Sequence, residues 1–411
     1  MEQIIYDILG IGVGPFNLGL AALCHSLDLK SSFIEKSDSF NWHPGLLLDD
    51  ARLQVPFYAD LVTPADPCSK FSYMAFLHAR QRLIRFAIRN NQYIKRNDYN
   101  EYCRWVIAQL SNVRFGCRCE NIEFDDAKKY YRVYSKKDVY YAKHVVIGVG
   151  TIAYVPGFAR NWLCESVLHS ADYLSKKELL LQQPDICVIG SGQSAAEIIF
   201  DLLKCYRGKL NWFSRADSFY PMDNSKFALE KTSPAYVDYF YSLPETSKKV
   251  ILSRQDNLYK GINEGLIDAI YSMLDDAVAP STRLYPGCEL QSIENGYSLD
   301  FLHLGYQHHF QYKVSAVIFA TGYRQSLPDF IGPISHRIQW DNQHRYQVNR
   351  NYSIDKNNSI FVQNADLHSH GFNAADLGLG VYRNATIINA ILGYTHYKME
   401  KDITFQQFGI P

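Results

Sequence analysis

The stretch Ile4-Ile5-Tyr6-Asp7-Ile8-Leu9-Gly10-Ile11-Gly12-Val13-Gly14-Pro15-Phe16-Asn17 decides the fold of this chain. Its first half is a short apolar run of the kind that forms a buried strand, and closely spaced glycines follow it. Leu18, Leu20 and Leu23 then continue in helical register. A further apolar run, Ser32-Phe33-Ile34, ends in an acid, Glu35. The order strand, glycine turn, helix and strand predicts a parallel βαβ unit.

The same order returns in the middle of the chain. The apolar run Ile186-Cys187-Val188-Ile189 precedes Gly190-Ser191-Gly192-Gln193-Ser194-Ala195, and a helical pattern follows. The next apolar run ends in Ser214-Arg215 instead of an acid. In dinucleotide-binding units an acid at this position binds the ribose hydroxyls, whereas an arginine accommodates a 2′-phosphate. We therefore predict two dinucleotide sites, with NADPH favoured over NADH at the second.

Two more strands are predicted to end in glycine, within Val145–Thr151 and Val317–Tyr323, where the backbone can approach a nucleotide closely. A Tyr-rich helical stretch lies between Pro221 and Asp276. The predicted fold class is α/β, with two Rossmann-like dinucleotide-binding domains and a small helical domain that covers the substrate. The expected domains are 1–165 with 315–411 for FAD, 166–220 with 277–314 for NADPH, and 221–276 for the helical domain.

Composition excludes several other classes of protein. The 411 residues carry 42 Lys+Arg against 42 Asp+Glu, so no net positive charge favours nucleic acid as a partner. The nine cysteines contain no C-x-x-C pair, which argues against a disulfide framework or a zinc site, and we expect no metal and a reducing cytoplasm. The sequence contains no uninterrupted apolar run of about eighteen residues, so no membrane span is predicted.

Two dinucleotide domains in one chain usually mean that the first holds FAD and that the second delivers a reduced nicotinamide. A disulfide reductase would need a cysteine pair beside the flavin, and the sequence has no suitably spaced pair. Oxygen chemistry on the flavin is therefore favoured.

Several motifs then carry a resemblance that covers nearly the whole chain. They are GVGPFNL (12–18), WHPG (42–45), LQVPFYADLVTPADP (53–67), GSGQSAAE (190–197), DNSKFALE (223–230), SPAYVDYF (233–240), FATGYR (319–324), and His370-Gly371 followed by DLGLG. With them the chain resembles the N-hydroxylating flavin monooxygenases, which act on lysine, ornithine or diamines in hydroxamate siderophore synthesis. It is most similar to members whose amine carries no carboxylate.

The resemblance implies a cycle in which NADPH reduces FAD and oxygen adds at the flavin C4a position. A neutral primary amine then attacks the distal oxygen of this hydroperoxide to give an N-hydroxyamine. The resemblance implies catalytic roles for Gln54 and His43. It also implies cofactor-binding roles for Gly12, Gly14, Pro15, Phe16, Asn17, Glu35, Lys36, Trp42, His43, Gln54, Gly190, Gly192, Gln193, Ser194, Ser214, Arg215, Thr321, Gly322, Tyr323 and Leu377.

The departures from the family pattern concern the substrate. Where lysine and ornithine hydroxylases carry a lysine for the substrate α-carboxylate, this chain has Ala59. A carboxylate buried without a cation costs several kcal/mol. Lys226 or Lys260 would have to replace the missing cation for an amino-acid substrate. Further substrate positions of the ornithine enzymes are apolar or small here, namely Leu229, Leu258 and Gly378.

The resulting expectation is an amine without a carboxylate, putrescine or cadaverine first and histamine second. A distal ammonium group would need a carboxylate, for which Asp376 and Glu230 are the candidates. The alternatives are an L-lysine or L-ornithine N-hydroxylase, a flavin monooxygenase acting on a carbonyl or sulfur substrate, and a non-catalytic redox sensor. The expected partners are a small primary amine and O2, in a homo-oligomer, either a tetramer or a dimer.

Overall fold

The computed structural model describes residues 4–276, 281–294, 297–401 and 403–410. The strands of these residues, in chain order, are β1 (Ile5–Ile11), β2 (Ser31–Ile34), β3 (Val113–Arg114), β4 (Cys119–Asp125), β5 (Tyr130–Ser135), β6 (Val139–Ile147), β7 (Thr151–Ala153), β8 (Val167–His169), β9 (Asp185–Ile189), β10 (Lys209–Phe213), β11 (Thr282–Tyr285), β12 (Cys288–Glu294), β13 (Ser298–His303), β14 (His308–Lys313), β15 (Ala316–Phe319), β16 (Tyr323–Gln325) and β17 (Ile360–Val362).

The helices, in chain order, are α1 (Pro15–Cys24), α2 (Tyr73–Ala79), α3 (Leu83–Arg89), α4 (Arg96–Ile107), α5 (Tyr173–Leu180), α6 (Gln193–Cys205), α7 (Lys226–Leu229), α8 (Pro234–Ser242), α9 (Glu245–Ser253), α10 (Asp256–Tyr259), α11 (Glu264–Asp275), α12 (Leu367–His370) and α13 (Leu377–Leu392). Among the described residues, no helix combines the length and the apolar character needed to cross a bilayer.

The first sheet has the order β3-β2-β1-β6-β5-β4, and β17 also pairs with β6. β1 is parallel to β2, to β6 and, through β6, to β17, whereas β4 and β5 form an antiparallel extension. The last four residues of β1 are all buried, as expected for a strand covered on both faces. α1 packs against α13, so the two ends of the chain build one domain.

The second sheet is entirely parallel, with the order β11-β10-β9-β15-β8. An antiparallel sheet, β12-β13-β14, lies between β11 and β15 along the chain and shares a core with the second sheet. In this core Phe213 stacks on Phe301 with ring centroids 4.2 Å apart. The predicted α/β fold with two parallel Rossmann-like sheets is thus confirmed.

Two of the expected domain boundaries need correction. β15 lies between β9 and β8 in the second sheet, so the expected boundary at residue 315 cuts through that sheet. α11 was expected in the helical domain, but it packs on α6, with Ile270 in the core of the second domain. α11 thus belongs to the connection between the parallel strands β10 and β11. The expected boundary at 277 and residues 1–3, 402 and 411 of the expected flavin domain lie outside the described residues.

Helices α7 to α10 remain as a helical insertion between β10 and α11. Its core contains Tyr236 and Phe240 of α8, which pack with Phe372 from the segment before α13. Phe408 near the C-terminus packs against the same cluster. The insertion therefore rests on parts of the chain that belong to the first domain.

Candidate functional site

The first glycine turn leaves the start of α1 accessible. Gly12 has φ +88°, and a Cβ there would lie 2.4 Å from the carbonyl oxygen of Gly148. A Cβ on Gly14 would meet nothing within 4 Å, and no side chain caps the first turn of α1. Free N–H groups at a helix N-terminus attract a pyrophosphate, so the turn fits a dinucleotide.

Glu35 and Asn17 support this turn from two sides. The Glu35 carboxylate accepts the N–H groups of Val13 (2.8 Å) and Ser37 (3.0 Å), and its remaining lone pairs can accept ribose hydroxyls. The Asn17 amide donates to the carbonyl of Gly12 at 2.8 Å and is 1% exposed. Asn17 therefore holds the turn in shape from beneath, instead of facing the cleft as a cofactor ligand would.

The second glycine turn repeats this construction. Gly190 has φ +135°, and a Cβ there would lie 2.2 Å from the carbonyl oxygen of Ala320. α6 begins at Gln193 after Gly192, again without a side-chain cap. Ser194 lies in its first turn and is partly exposed. The positions of these residues match those in the first turn, and a second dinucleotide fits here for the same reason.

Ser214 and Arg215 follow β10 at the edge of this second site. The Arg215 side chain is 80% exposed, with only a long 4.0 Å contact to Glu289, so its guanidinium is available to an anionic ligand. Ser214 is buried and its hydroxyl accepts the N–H of Ala216 at 3.0 Å. The hydroxyl thus shapes the turn that presents Arg215.

Trp42, His43 and Tyr323 form a row of contacting aromatic and imidazole rings. The ring centroids of Trp42 and His43 lie 4.8 Å apart, and those of His43 and Tyr323 lie 5.6 Å apart. Desolvation by the surrounding protein and the nearby Arg96 charge lower the pKa of His43 to about 4, which keeps the imidazole neutral. Thr321 and Gly322 precede Tyr323, and a Cβ on Gly322 would meet nothing within 4 Å.

A buried polar network joins the domains below these rings. Arg96 at the start of α4 binds Glu197 of α6 through two hydrogen bonds, both 2.8 Å long. Gln193 donates to Glu197 at 2.9 Å and accepts the N–H of Asn263 at 2.8 Å. Burial raises the pKa of Glu197 and the Arg96 charge opposes that rise, so the pair depends on its partners.

Gln54 belongs to the same junction. Its amide donates to the carbonyl of Gly261 at 3.1 Å, which links the first domain to the loop before α11. Gln54 is therefore placed at the meeting point of the domains, where the resemblance puts flavin and substrate.

The structure brings Ala59, Asp376 and Gly378 together. Ala59 is 3% exposed, and a Cβ on Gly378 would lie 3.4 Å from the Ala59 Cβ and 3.2 Å from Asp376 Oδ1. Asp376 caps α13 by accepting the N–H of Leu379 at 2.8 Å, and burial raises the pKa of its carboxyl group. The ionisable side chain beside this small-residue contact is thus a carboxyl group, and the charge of Arg383 opposes the rise of its pKa.

A small cavity adjoins this group on the side of the first glycine turn. Its lining includes Pro15, Phe16, Tyr99 and Leu377. The start of α13 therefore lies close to the start of α1, as the expected roles of Pro15, Phe16 and Leu377 require.

The other expected substrate residues lie elsewhere. The Glu230 carboxylate accepts the N–H groups of Phe405 and Gln406 in the C-terminal segment. The expectation that Glu230 binds the ammonium group of the substrate is therefore corrected, because its carboxylate already has these partners. Leu229 is 48% exposed, and Leu258 packs in the core of the helical insertion. Lys36 is exposed beyond β2. Lys260 pairs with Asp256 on its own helix at 2.7 Å.

Two arginines, Arg96 and Arg383, could not be identified as site residues from the sequence. Arg383 is 2% exposed, forms an ion pair with Asp366 at 3.0 Å, and lies 4.5 Å above the Phe16 ring. Neither arginine stands in a motif whose chemistry can be recognised. Glu197, in contrast, ends the GSGQSAAE motif on the same helix face as Gln193, and this spacing was a usable signal.

The chain is similar to proteins of known activity. A putrescine N-hydroxylase of Shewanella oneidensis is 43% identical over 99% of this chain and 85% of its own length. A cadaverine monooxygenase of the desferrioxamine pathway of Erwinia amylovora, solved with FAD, is 40% identical with a TM-score of 0.96, over 100% of this chain and 99% of that one.

A Kutzneria ornithine N-hydroxylase, solved with reduced FAD, NADP⁺ and L-ornithine, is 26% identical with a TM-score of 0.87 over 95% of this chain and 99% of that one. Residues 4–325 match the family described as L-lysine 6-monooxygenase/L-ornithine 5-monooxygenase. The chain thus belongs to the L-lysine 6-monooxygenase/L-ornithine 5-monooxygenase family.

Proposed function

We propose that this enzyme N-hydroxylates an aliphatic diamine, putrescine or cadaverine, with FAD, NADPH and O2 as cofactors and co-substrate, for hydroxamate siderophore synthesis. The contact of Ala59 with Gly378 beside the Asp376 carboxylate carries the proposal. An α-carboxylate placed there would lie beside the Asp376 carboxylate, and the nearest arginine, Arg383, is already paired with Asp366. An ammonium group would instead form a charge-assisted hydrogen bond with Asp376.

The two nitrogens of a diamine meet different requirements. The distal nitrogen stays protonated and is bound by Asp376, whose carboxyl group has lone pairs left after accepting the Leu379 N–H. The reacting nitrogen must be uncharged, since a protonated amine has no lone pair to share. Aromatic walls such as Trp42 and Tyr99, whose ring centroids lie 5.3 Å apart, favour the neutral form by excluding water.

The residues of the two glycine turns hold the cofactors in this proposal. Gly12, Gly14 and Glu35 would bind FAD, and Gly190, Gly192 and Arg215 would bind NADPH. Reduced FAD supplies, with O2, the oxygen atom that the amine receives. His43, which stays neutral at physiological pH, contributes a hydrogen-bonding ring without adding a charge.

The proposal is tested by measuring hydroxylamine formation with putrescine, cadaverine, histamine, lysine and ornithine under NADPH and FAD. We expect a diamine to have the highest kcat/KM. Asp376→Asn should raise the KM for the diamine about tenfold or more, because the ammonium loses a charged partner. Asp49→Asn, which changes an exposed carboxylate, is the matched control.

Ala59→Lys tests the same contact from the other side. It should weaken diamine binding, because its ammonium would occupy the position beside Asp376. A wild-type preference for lysine or ornithine would overturn the proposed substrate class, and NADPH oxidation coupled to a ketone or thioether would overturn the proposed reaction.

We also propose a cytoplasmic homo-oligomer, a tetramer or a dimer. The support is the family resemblance together with the reduced nicotinamide that the reaction consumes. Size-exclusion chromatography with light scattering measures the assembly directly.

A further inference from the structure

The C-terminal segment of residues 403–410, called here the C-terminal strap, is tied to the end of α7 by Glu230. The Glu230 carboxylate accepts the N–H of Phe405 at 3.1 Å and both the N–H and the side-chain amide of Gln406 at 3.0 Å. The Gln406 amide also donates to the carbonyl of Phe227 at 2.7 Å. Glu230 thus uses both carboxylate oxygens on the strap.

The strap packs on the helical insertion, and the chain before it is anchored in the first domain. Phe408 packs its ring edge-on against Tyr236 of α8, with centroids 5.0 Å apart. Before the strap, Tyr397 is 6% exposed, and its hydroxyl donates to the carbonyl of Leu23 in α1 at 2.8 Å. The C-terminal part of the chain therefore runs from the first domain to the helical insertion.

The residues that follow α7 are also bound to the segment that leads into α13. The Asn373 amide donates to the carbonyl of Lys231 at 2.8 Å, and Asn373 is 3% exposed. Asn373 lies three residues before Asp376 in the segment that leads into α13. The stretch from α7 to Lys231 is therefore bound both by the segment before α13 and by the strap.

α7 needs such support for physical reasons. A four-residue helix is too short to be stable alone. Ser225 at its start makes no side-chain cap, and Glu230 places a negative charge at its C-terminal end, where the helix dipole disfavours an anion. The three N–H groups donated to Glu230 offset this charge and lower the pKa of its carboxyl group.

We propose that the C-terminal strap is a positioning element of the amine site, and that Glu230 is the positioning residue through which it holds α7 against the segment before α13. This inference rests on the proposed diamine N-hydroxylation for its catalytic part only. Among the described residues, the hydrogen bonds and ring contacts of the strap go to α7, to α8 and within the strap itself. Its loss should therefore affect amine binding and leave cofactor binding intact.

The test uses the FAD-loaded full-length enzyme, Glu230→Gln, and Gln406→Ala, with Glu178→Gln as the matched change of an exposed carboxylate. Hydrogen exchange of the amides of residues 226–232 is measured without amine, and kcat, KM and flavin content are measured with the diamine. We expect exchange about tenfold faster in Glu230→Gln, a diamine KM about tenfold higher, and unchanged flavin content and kcat, with smaller effects in Gln406→Ala.

Removal of residues 403–411 gives an independent check that leaves Glu230 in place. It should reproduce the faster exchange and the higher KM. Unchanged exchange in both the truncated enzyme and Glu230→Gln would overturn the inference, as would faster exchange with an unchanged diamine KM. If the wild-type enzyme hydroxylates no diamine, the proposed function fails, whereas the exchange measurement still decides whether the strap holds α7.

Discussion

We propose that one exposed residue, Arg215, sets the preference for NADPH. Its guanidinium is 80% exposed beyond the second glycine turn, and the turn in front of it is shaped by the buried Ser214 hydroxyl. Within the part of the chain that the structure describes, the ion-pair contact of Arg215 is the 4.0 Å one to Glu289, which is too long to compete strongly with a ligand phosphate.

Arg215→Ala should therefore raise the KM for NADPH about tenfold or more, because a charge-assisted contact to the 2′-phosphate is lost. The KM for NADH, which lacks this phosphate, should stay nearly constant. Steady-state kinetics with both nucleotides measures the ratio, and an equal loss with both would show that Arg215 does not contact the 2′-phosphate.

Glu230 and Asp376 show where prediction from the sequence ends at this scale. Both acids lie in motifs of the family, and both were candidates for binding an ammonium group. The difference between them comes from partners: Gln406, which occupies Glu230, is 176 residues away along the chain. Asp376 could be recognised because it precedes a helix in the sequence, whereas a distant partner leaves no local signal.

At the scale of elements, α4 and α6 are joined by the ion pair of Arg96 with Glu197. The two side chains are 13% and 3% exposed, so removing one partner leaves the other charge buried without compensation. Glu197→Ala should lower the free energy of unfolding by about 3 kcal/mol and weaken NADPH binding.

The matched control is Glu165→Ala, which removes an ion pair with Lys176 whose side chains are 70% and 36% exposed. That pair should contribute less than about 1 kcal/mol. Chemical denaturation of both variants measures the difference, and similar losses would mean that burial does not determine the strength of the α4–α6 pair.

Both βαβ units could be predicted because strand, glycine turn and helix are adjacent in the sequence. The location of β15 could not be predicted, because β6 and β15 both end in an apolar run with a glycine shortly after it. β15 pairs with β9, which lies more than 120 residues earlier in the chain, and this pairing depends on the packing of the whole sheet. α11 was misassigned for a related reason: the insertion before it is also helical, so the composition does not change at the boundary.

At the scale of the whole molecule, buried histidines make stability depend on pH. His370 is 1% exposed, and burial lowers its pKa from 6.5 to about 4. The unfolded chain takes up a proton below pH 6.5 that the folded protein takes up only near pH 4. Stability from this group is therefore complete above pH 6.5 and is lost as the pH falls toward 4.

Between pH 7 and pH 5 this single group should account for a loss of about 2 kcal/mol. Burial also lowers the pKa of His144, His169 and His368, so the wild-type loss should be larger. His370→Gln should be less stable at pH 7 but should lose less on acidification. Denaturant titrations at both pH values test this, and parallel losses in the two proteins would contradict it.

The pairing of β17 with β6 and the packing of α13 on α1 affect how the protein folds while it is being synthesised. The ribosome synthesises α1 and β6 early. Their partners α13 and β17 are synthesised only after the whole inserted second domain. The inserted domain, from β8 to β15, has all its strands available first. During translation the sheet of this inserted domain can therefore form first. The sheet of the first domain lacks β17 until the C-terminal part of the chain has been synthesised.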